Sequence, residues 1–91
     1  MNKLEIINEH LEEMEIQTLS ADGFDDAILG IVTDFNSSER IAYSVTKCIE
    51  ILMTRDNMSM EDAVEYFDFN VRGAYMGVGT PLWIDDGMFS D

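Results

Sequence analysis

Basic residues are scarce in this chain. Lys and Arg number 5 against 19 Asp and Glu, for a formal net charge of -14. Nucleic-acid backbones are held by Lys and Arg on phosphates, so the balance weighs against direct nucleic-acid binding and against anionic membrane surfaces. Cysteine is nearly absent too. The single Cys48 excludes an internal disulfide and points to a reducing, cytoplasmic compartment. His10 is the only imidazole, so zinc sites built on clustered His and Cys are excluded. No apolar run approaches the roughly 18 residues of a membrane span, and the acidic, amphipathic N-terminus is unlike a signal peptide. The only proline is Pro81 and the glycines gather late; no repeat or low-complexity stretch is present.

What is present suits one small domain. The chain has 91 residues, 46% of them hydrophobic, enough for one modest core over residues 1–91. Leu4, Ile7, Leu11 and Met14 recur at helical spacing, predicting a helix from Asn2 to about Glu15 within an acidic N-terminal segment, 1–16. Phe24-Asp25-Asp26 reads as the start of a short turn. The β-branched run Ala27–Phe35 predicts a strand, Asn36–Glu39 a turn and Arg40–Tyr43 the returning strand of a hairpin. Ser44 suits the cap of a central, mostly buried helix from Val45 to about Thr54. Ser59-Met60-Glu61-Asp62 matches a capping box, opening a third helix to about Arg72 whose buried face is Met60, Ala63, Val64, Phe67 and Val71. Gly77–Pro81 reads as a loop, Leu82–Ile84 as a third strand or an extended segment over the core, and 85–91 as a flexible, frayed acidic tail. The expected class is α+β: three helices on a two- or three-stranded antiparallel sheet.

Catalytic and ligand motifs fall short. A Cys48–His10 nucleophile pair conflicts with the buried helix position of Cys48. Asp34–Ser38 begins like a calcium loop, but Glu39 stands where a glycine is needed and Val45 where a bidentate glutamate is needed. The Gly77-x-Gly79-Thr80-Pro81 segment lacks the remaining residues of either phosphate-binding fingerprint. The carboxylate pairs Asp25-Asp26, Glu61-Asp62 and Asp85-Asp86 are adjacent in sequence, and adjacency alone does not aim two groups at one reacting atom. No enzyme activity, cofactor or metal is expected.

The acids themselves are clustered. Glu5, Glu9, Glu12 and Glu13 fill an arc of about 100° opposite the apolar stripe of the first helix. Glu61, Asp62, Glu65 and Asp68 form a second ridge on the third helix, relieved only by Arg72. Each ridge carries its carboxylates over roughly 10–12 Å, a linear density similar to the one phosphate per roughly 3.4 Å of a DNA strand. On charge alone a solvated face that keeps a small protein soluble is the ordinary reading, but Glu5/Glu9 and Glu9/Glu13 are unrelieved like-charge pairs that each weaken a helix by about 0.2–0.5 kcal/mol, which keeps mimicry of a nucleic-acid surface as the alternative. Phe69 falls on the acidic side of its helix, and Tyr75, Trp83 and Phe89 lie among late glycines and acids. Some of these rings are expected to pack on the core; an aromatic ringed by carboxylates otherwise suits an interface anchor.

From Gly23 onward the chain resembles a family of short, acidic, functionally uncharacterised proteins of bacteriophages and bacteria. The likeness rests on Gly23–Ile28, on Lys47–Met53 with Arg55-Asp56 and Met58, on Glu61–Phe67, and on Asn70-Val71, Gly73–Tyr75 and Thr80-Pro81. It implies a phage-type origin and brings no functional residues. The leading expectation is therefore an anti-defence, anti-CRISPR-like inhibitor. Its partner-binding residues would be Glu5, Glu9, Glu12, Glu13, Glu61, Asp62, Glu65, Asp68 and Phe69, set against a basic host nuclease or CRISPR effector. The alternatives are a small-ligand or signalling-nucleotide binder, using Lys47, Arg55 or Arg72 near Tyr75 and Trp83, and a phage accessory protein or enzyme using Asp25-Asp26 and Tyr43.

Overall fold

A computed structural model describes residues 2–13, 18–33, 35, 38–74, 77 and 79–89. Helix α1 spans Lys3–Glu13 and leads to a single 3-10 turn at Asp25–Ala27. Strands β1 (Ile28–Thr33) and β2 (Glu39–Ser44) follow, then helices α2 (Val45–Arg55) and α3 (Met60–Tyr66). A π-helical stretch at Phe67–Arg72 continues α3, and strand β3 (Leu82–Ile84) and a 3-10 turn at Gly87–Phe89 close the described chain. Met14, Asp34, Asn36, Ser37, Tyr75, Met76 and Val78, with the expectations that fall on them, lie outside the described residues.

The architecture is α+β, with three helices and a three-stranded sheet in the order β1-β2-β3. β1 and β2 form the expected antiparallel hairpin, pairing Ile31 with Ile41 and Val32 with Arg40. β2 and β3, however, pair in parallel, Ala42 with Leu82 and Ser44 with Ile84. The sheet is mixed, which corrects the antiparallel expectation. The reason is the connection: α2 and α3 lie between the two strands, and a helical crossover returns the chain to the end from which it left, delivering a parallel strand.

Local chemistry explains the helix starts. Ser44 has extended backbone angles, and its hydroxyl accepts from the Lys47 N–H at 3.0 Å. Ser59 accepts from the Asp62 N–H at 3.1 Å in the same way. These bonds satisfy N–H groups that have no partner within the helix.

The core lies between the sheet and the helices. Tyr43, Phe67, Ile41, Leu52 and Cys48 are its largest fully buried side chains. Trp83 joins them, its ring 5.2 Å from that of Tyr43 and edge-on at 5.3 Å to that of Phe67. Ile7 and Leu11 of α1 are buried as the spacing predicts. In α3 only part of the predicted face goes in. Ala63 and Phe67 are fully buried and Val71 packs on the core, whereas Met60 is 64% exposed and Val64 41%. Within α3, Ala63 is the one buried side chain, and the helix packs against α2. Within α2, Cys48 and Leu52 are buried while Val45, Ile49, Ile51 and Met53 are only partly covered.

The C-terminal acids are tied down rather than frayed over the described stretch. Asp85 accepts from Arg72 at 2.7 Å. Asp86 accepts from the Ser44 hydroxyl at 2.6 Å and the Thr46 N–H at 3.2 Å. Among the described residues no helix is long and apolar enough to cross a membrane.

Candidate functional site

The eight carboxylates singled out by the sequence, and Phe69 with them, are all exposed. Among the described residues only Asp68 of this set meets a cation, Arg72, at 3.9 Å. The structure does not gather all eight into one constellation. Glu5, Glu9, Glu12 and Glu13 ride on α1, which packs against β1 and the Asp25–Ala27 turn. Glu61, Asp62 and Glu65 belong to α3, which packs against α2, and Asp68 to the π-helical stretch that follows.

Part of the second ridge does converge. Asp62, Glu65 and Phe69 line one shallow depression of about 390 Å³, together with Met58, Tyr66 and Asn70. Phe69 is 76% exposed there and Tyr66 also presents its ring to solvent. Glu61 and Asp68 lie outside that lining. Phe69 lies in the π-helical stretch that continues α3 from Phe67. Two residues apart on a helix, side chains point to nearly opposite sides, so Phe67 is in the core while Phe69 faces out. Arg72 fastens the stretch: its guanidinium stacks 5.3 Å from the Phe67 ring and donates to Asp85.

Tyr66 and Asn70 are absent from the set predicted from sequence. A signal for them existed, since Asp62, Tyr66 and Asn70 are spaced i, i+4, i+8 and share a helix face. The π-helical stretch itself has no comparable signature in the residues.

The cations invoked for a ligand are already engaged. Lys47 pairs with Glu50 at 3.5 Å. Arg55 donates to both carboxylate oxygens of Asp56, at 3.1 and 3.0 Å, and to the Gly23 carbonyl at 2.8 Å. Its side-chain bonds hold the Asp56 carboxyl below the usual range. Arg55 and Trp83 do line a common cleft of about 300 Å³, with Phe24, Tyr66 and Asn70. The guanidinium there lies 5.4 Å from the Phe24 ring and is directed to protein acceptors.

The nucleophile candidates are structural. Cys48 is fully buried, and burial pushes its thiol up to about 12. Tyr43 is likewise enclosed, its hydroxyl accepting from the Ala21 N–H at 2.8 Å, and burial raises its pKa. Among the described residues no group of three His, Cys, Asp or Glu is placed to hold a metal ion. Comparison with family models, curated proteins and solved structures finds no match to this chain.

Proposed function

We propose that this chain is a stoichiometric binding protein that occupies the nucleic-acid groove of a basic partner. The reading is carried by the depression on α3 and its π-helical continuation, where the uncompensated carboxylates Asp62 and Glu65 flank the exposed rings of Phe69 and Tyr66. Nucleic acid offers regularly spaced anions beside flat π-faces. Carboxylates beside outward aromatic rings offer the same two features, and an aromatic anchor supplies the apolar contact that makes such an interface selective. The Glu5, Glu9, Glu12 and Glu13 face of α1 extends the negative field and accelerates encounter with a positive surface.

The resemblance to phage proteins supports a target among host defence proteins, a nuclease or CRISPR effector acted on by an anti-defence inhibitor. The test is a tagged capture from bacterial lysate at low and high salt, followed by nuclease or DNA-binding assays on the captured protein. Capture of a nucleic-acid-binding protein that DNA displaces, and that Asp62→Lys/Glu65→Lys abolishes, supports the reading. Unchanged capture by that variant, or a captured protein that binds DNA and this chain together, would overturn it.

A further inference from the structure

On the flank of α3 beside that depression runs a second concavity. It is a groove of about 620 Å³ between α2, α3 and the segment after β3. Val45, Ile49 and Met53 form its floor along α2, and Met60 and Val64 form its wall on α3. Met88, 75% exposed, stands on the third side. From these observations we infer that the groove is a docking site for a cationic amphipathic α-helix of a partner protein. The inference goes beyond the mimicry reading and uses different side chains.

The length of the groove fits a helix. Val45, Ile49 and Met53 are spaced i, i+4, i+8, so the floor runs about 12 Å at 1.5 Å rise per residue. Apolar anchors at i, i+4 and i+7 of a docked helix cover nearly the same distance. The walls also select against an extended strand. Two of them are helices whose backbone groups are bonded internally, so the groove offers side chains rather than a free sheet edge. An occupant must satisfy its own N–H and C=O groups, as a helix does. Three methionines, Met53, Met60 and Met88, provide unbranched, polarisable side chains that adjust to an incoming apolar face.

Charge selects the sign of the occupant. The lining holds two carboxylates, Glu50 and Asp85, and no cation. Their present partners are Lys47 at 3.5 Å and Arg72 at 2.7 Å, in exposed pairs. Exposed pairs contribute about 0–1 kcal/mol, so incoming Lys or Arg can share these carboxylates at little cost. Glu61 adds a further exposed acid next to Met60. A second copy of the chain carries the same net charge of -14 and is repelled, as is an anionic lipid surface.

The test uses the intact protein and a synthetic helical peptide of about 18 residues, with Leu at i, i+4, i+7 spacing and Lys on its other face. A scrambled peptide of identical composition controls for charge alone. Fluorescence anisotropy at about 0.15 M salt is expected to show the patterned peptide binding at least about tenfold more tightly than the scramble. The exposed-position variant Met60→Gln/Val64→Thr, with its fold checked by circular dichroism, is expected to lose about tenfold in affinity, whereas Asp62→Asn is expected to lose less than about threefold. Equal affinity for both peptides would overturn the inference. So would undiminished binding by the Met60/Val64 variant, or self-association of the free chain that this variant abolishes.

Discussion

The Asp86 carboxylate locks the segment after β3 onto the start of α2, taking the Ser44 hydroxyl at 2.6 Å while Ser44 itself caps the helix by accepting from Lys47. One serine thus joins a local cap to a contact 42 residues away. The same carboxylate sits at the positive end of the helix dipole, where an anion is favoured. Asp86→Asn is expected to destabilise the protein by about 1–2 kcal/mol at neutral pH, read from urea unfolding. The Ser44 bond, ahead of the bond from Thr46, holds the Asp86 pKa below its ordinary value in the folded state. A depressed folded pKa contributes stability above the unfolded value of about 4 and loses it as pH falls through the folded value. The gap between wild type and Asp86→Asn should therefore close below about pH 4.

Cys48 is expected to resist thiol reagents in the native protein. The thiol is fully buried, and burial pushes its pKa up to about 12, so almost no thiolate is expected at pH 8. Labelling followed at that pH should proceed at the unfolding rate and accelerate with urea. Labelling at the rate of a free thiol in the absence of denaturant would contradict this placement.

Gly23 faces two constraints that a double-mutant cycle can separate. Its φ is +86°, and an added Cβ would lie 2.6 Å from Arg55 Nη1. Gly23→Ala should cost about 1–3 kcal/mol from strain and displacement of Arg55. In an Arg55→Ala background the close approach disappears while the backbone penalty stays. The cost of Gly23→Ala should then fall without reaching zero, as measured by chemical denaturation.

Glu9 takes part in both i,i+4 like-charge pairs of α1, and no cation meets it among the described residues. Glu9→Gln is expected to raise stability by about 0.4–1 kcal/mol at low salt, from two relieved pairs. The gain should shrink as ionic strength rises. Thermal unfolding in low and high salt checks both the sign and the salt dependence.

Phe69→Ala provides the complementary separation of binding from folding. The ring is 76% exposed, so stability should change by no more than about 0.5 kcal/mol. Affinity for a captured basic partner should fall by about tenfold or more if the ring anchors the interface. Equal affinity, measured by titration calorimetry, would remove Phe69 from that surface.

Local patterns in the chain carried much of this. Spacing alone placed Ile7 and Leu11 inside and left the glutamates of α1 outside, because one face of a short helix must bury while carboxylates stay hydrated. Ser44 and Ser59 marked helix starts because capping is a contact between residues three apart. The hairpin of β1 and β2 followed from a β-branched run, a polar turn and a returning apolar run. Tertiary structure decided what depends on distant partners. The parallel seat of β3 arises from the crossover through α2 and α3, and the hold on Asp85 and Asp86 comes from Arg72 and Ser44. The same holds for Met60 and Val64: helical periodicity put them with Ala63 and Phe67, but among the described residues no other element covers them and they line an open groove. A sequence pattern determines which face of an element is apolar; only packing determines how wide an arc of that face finds something to cover it.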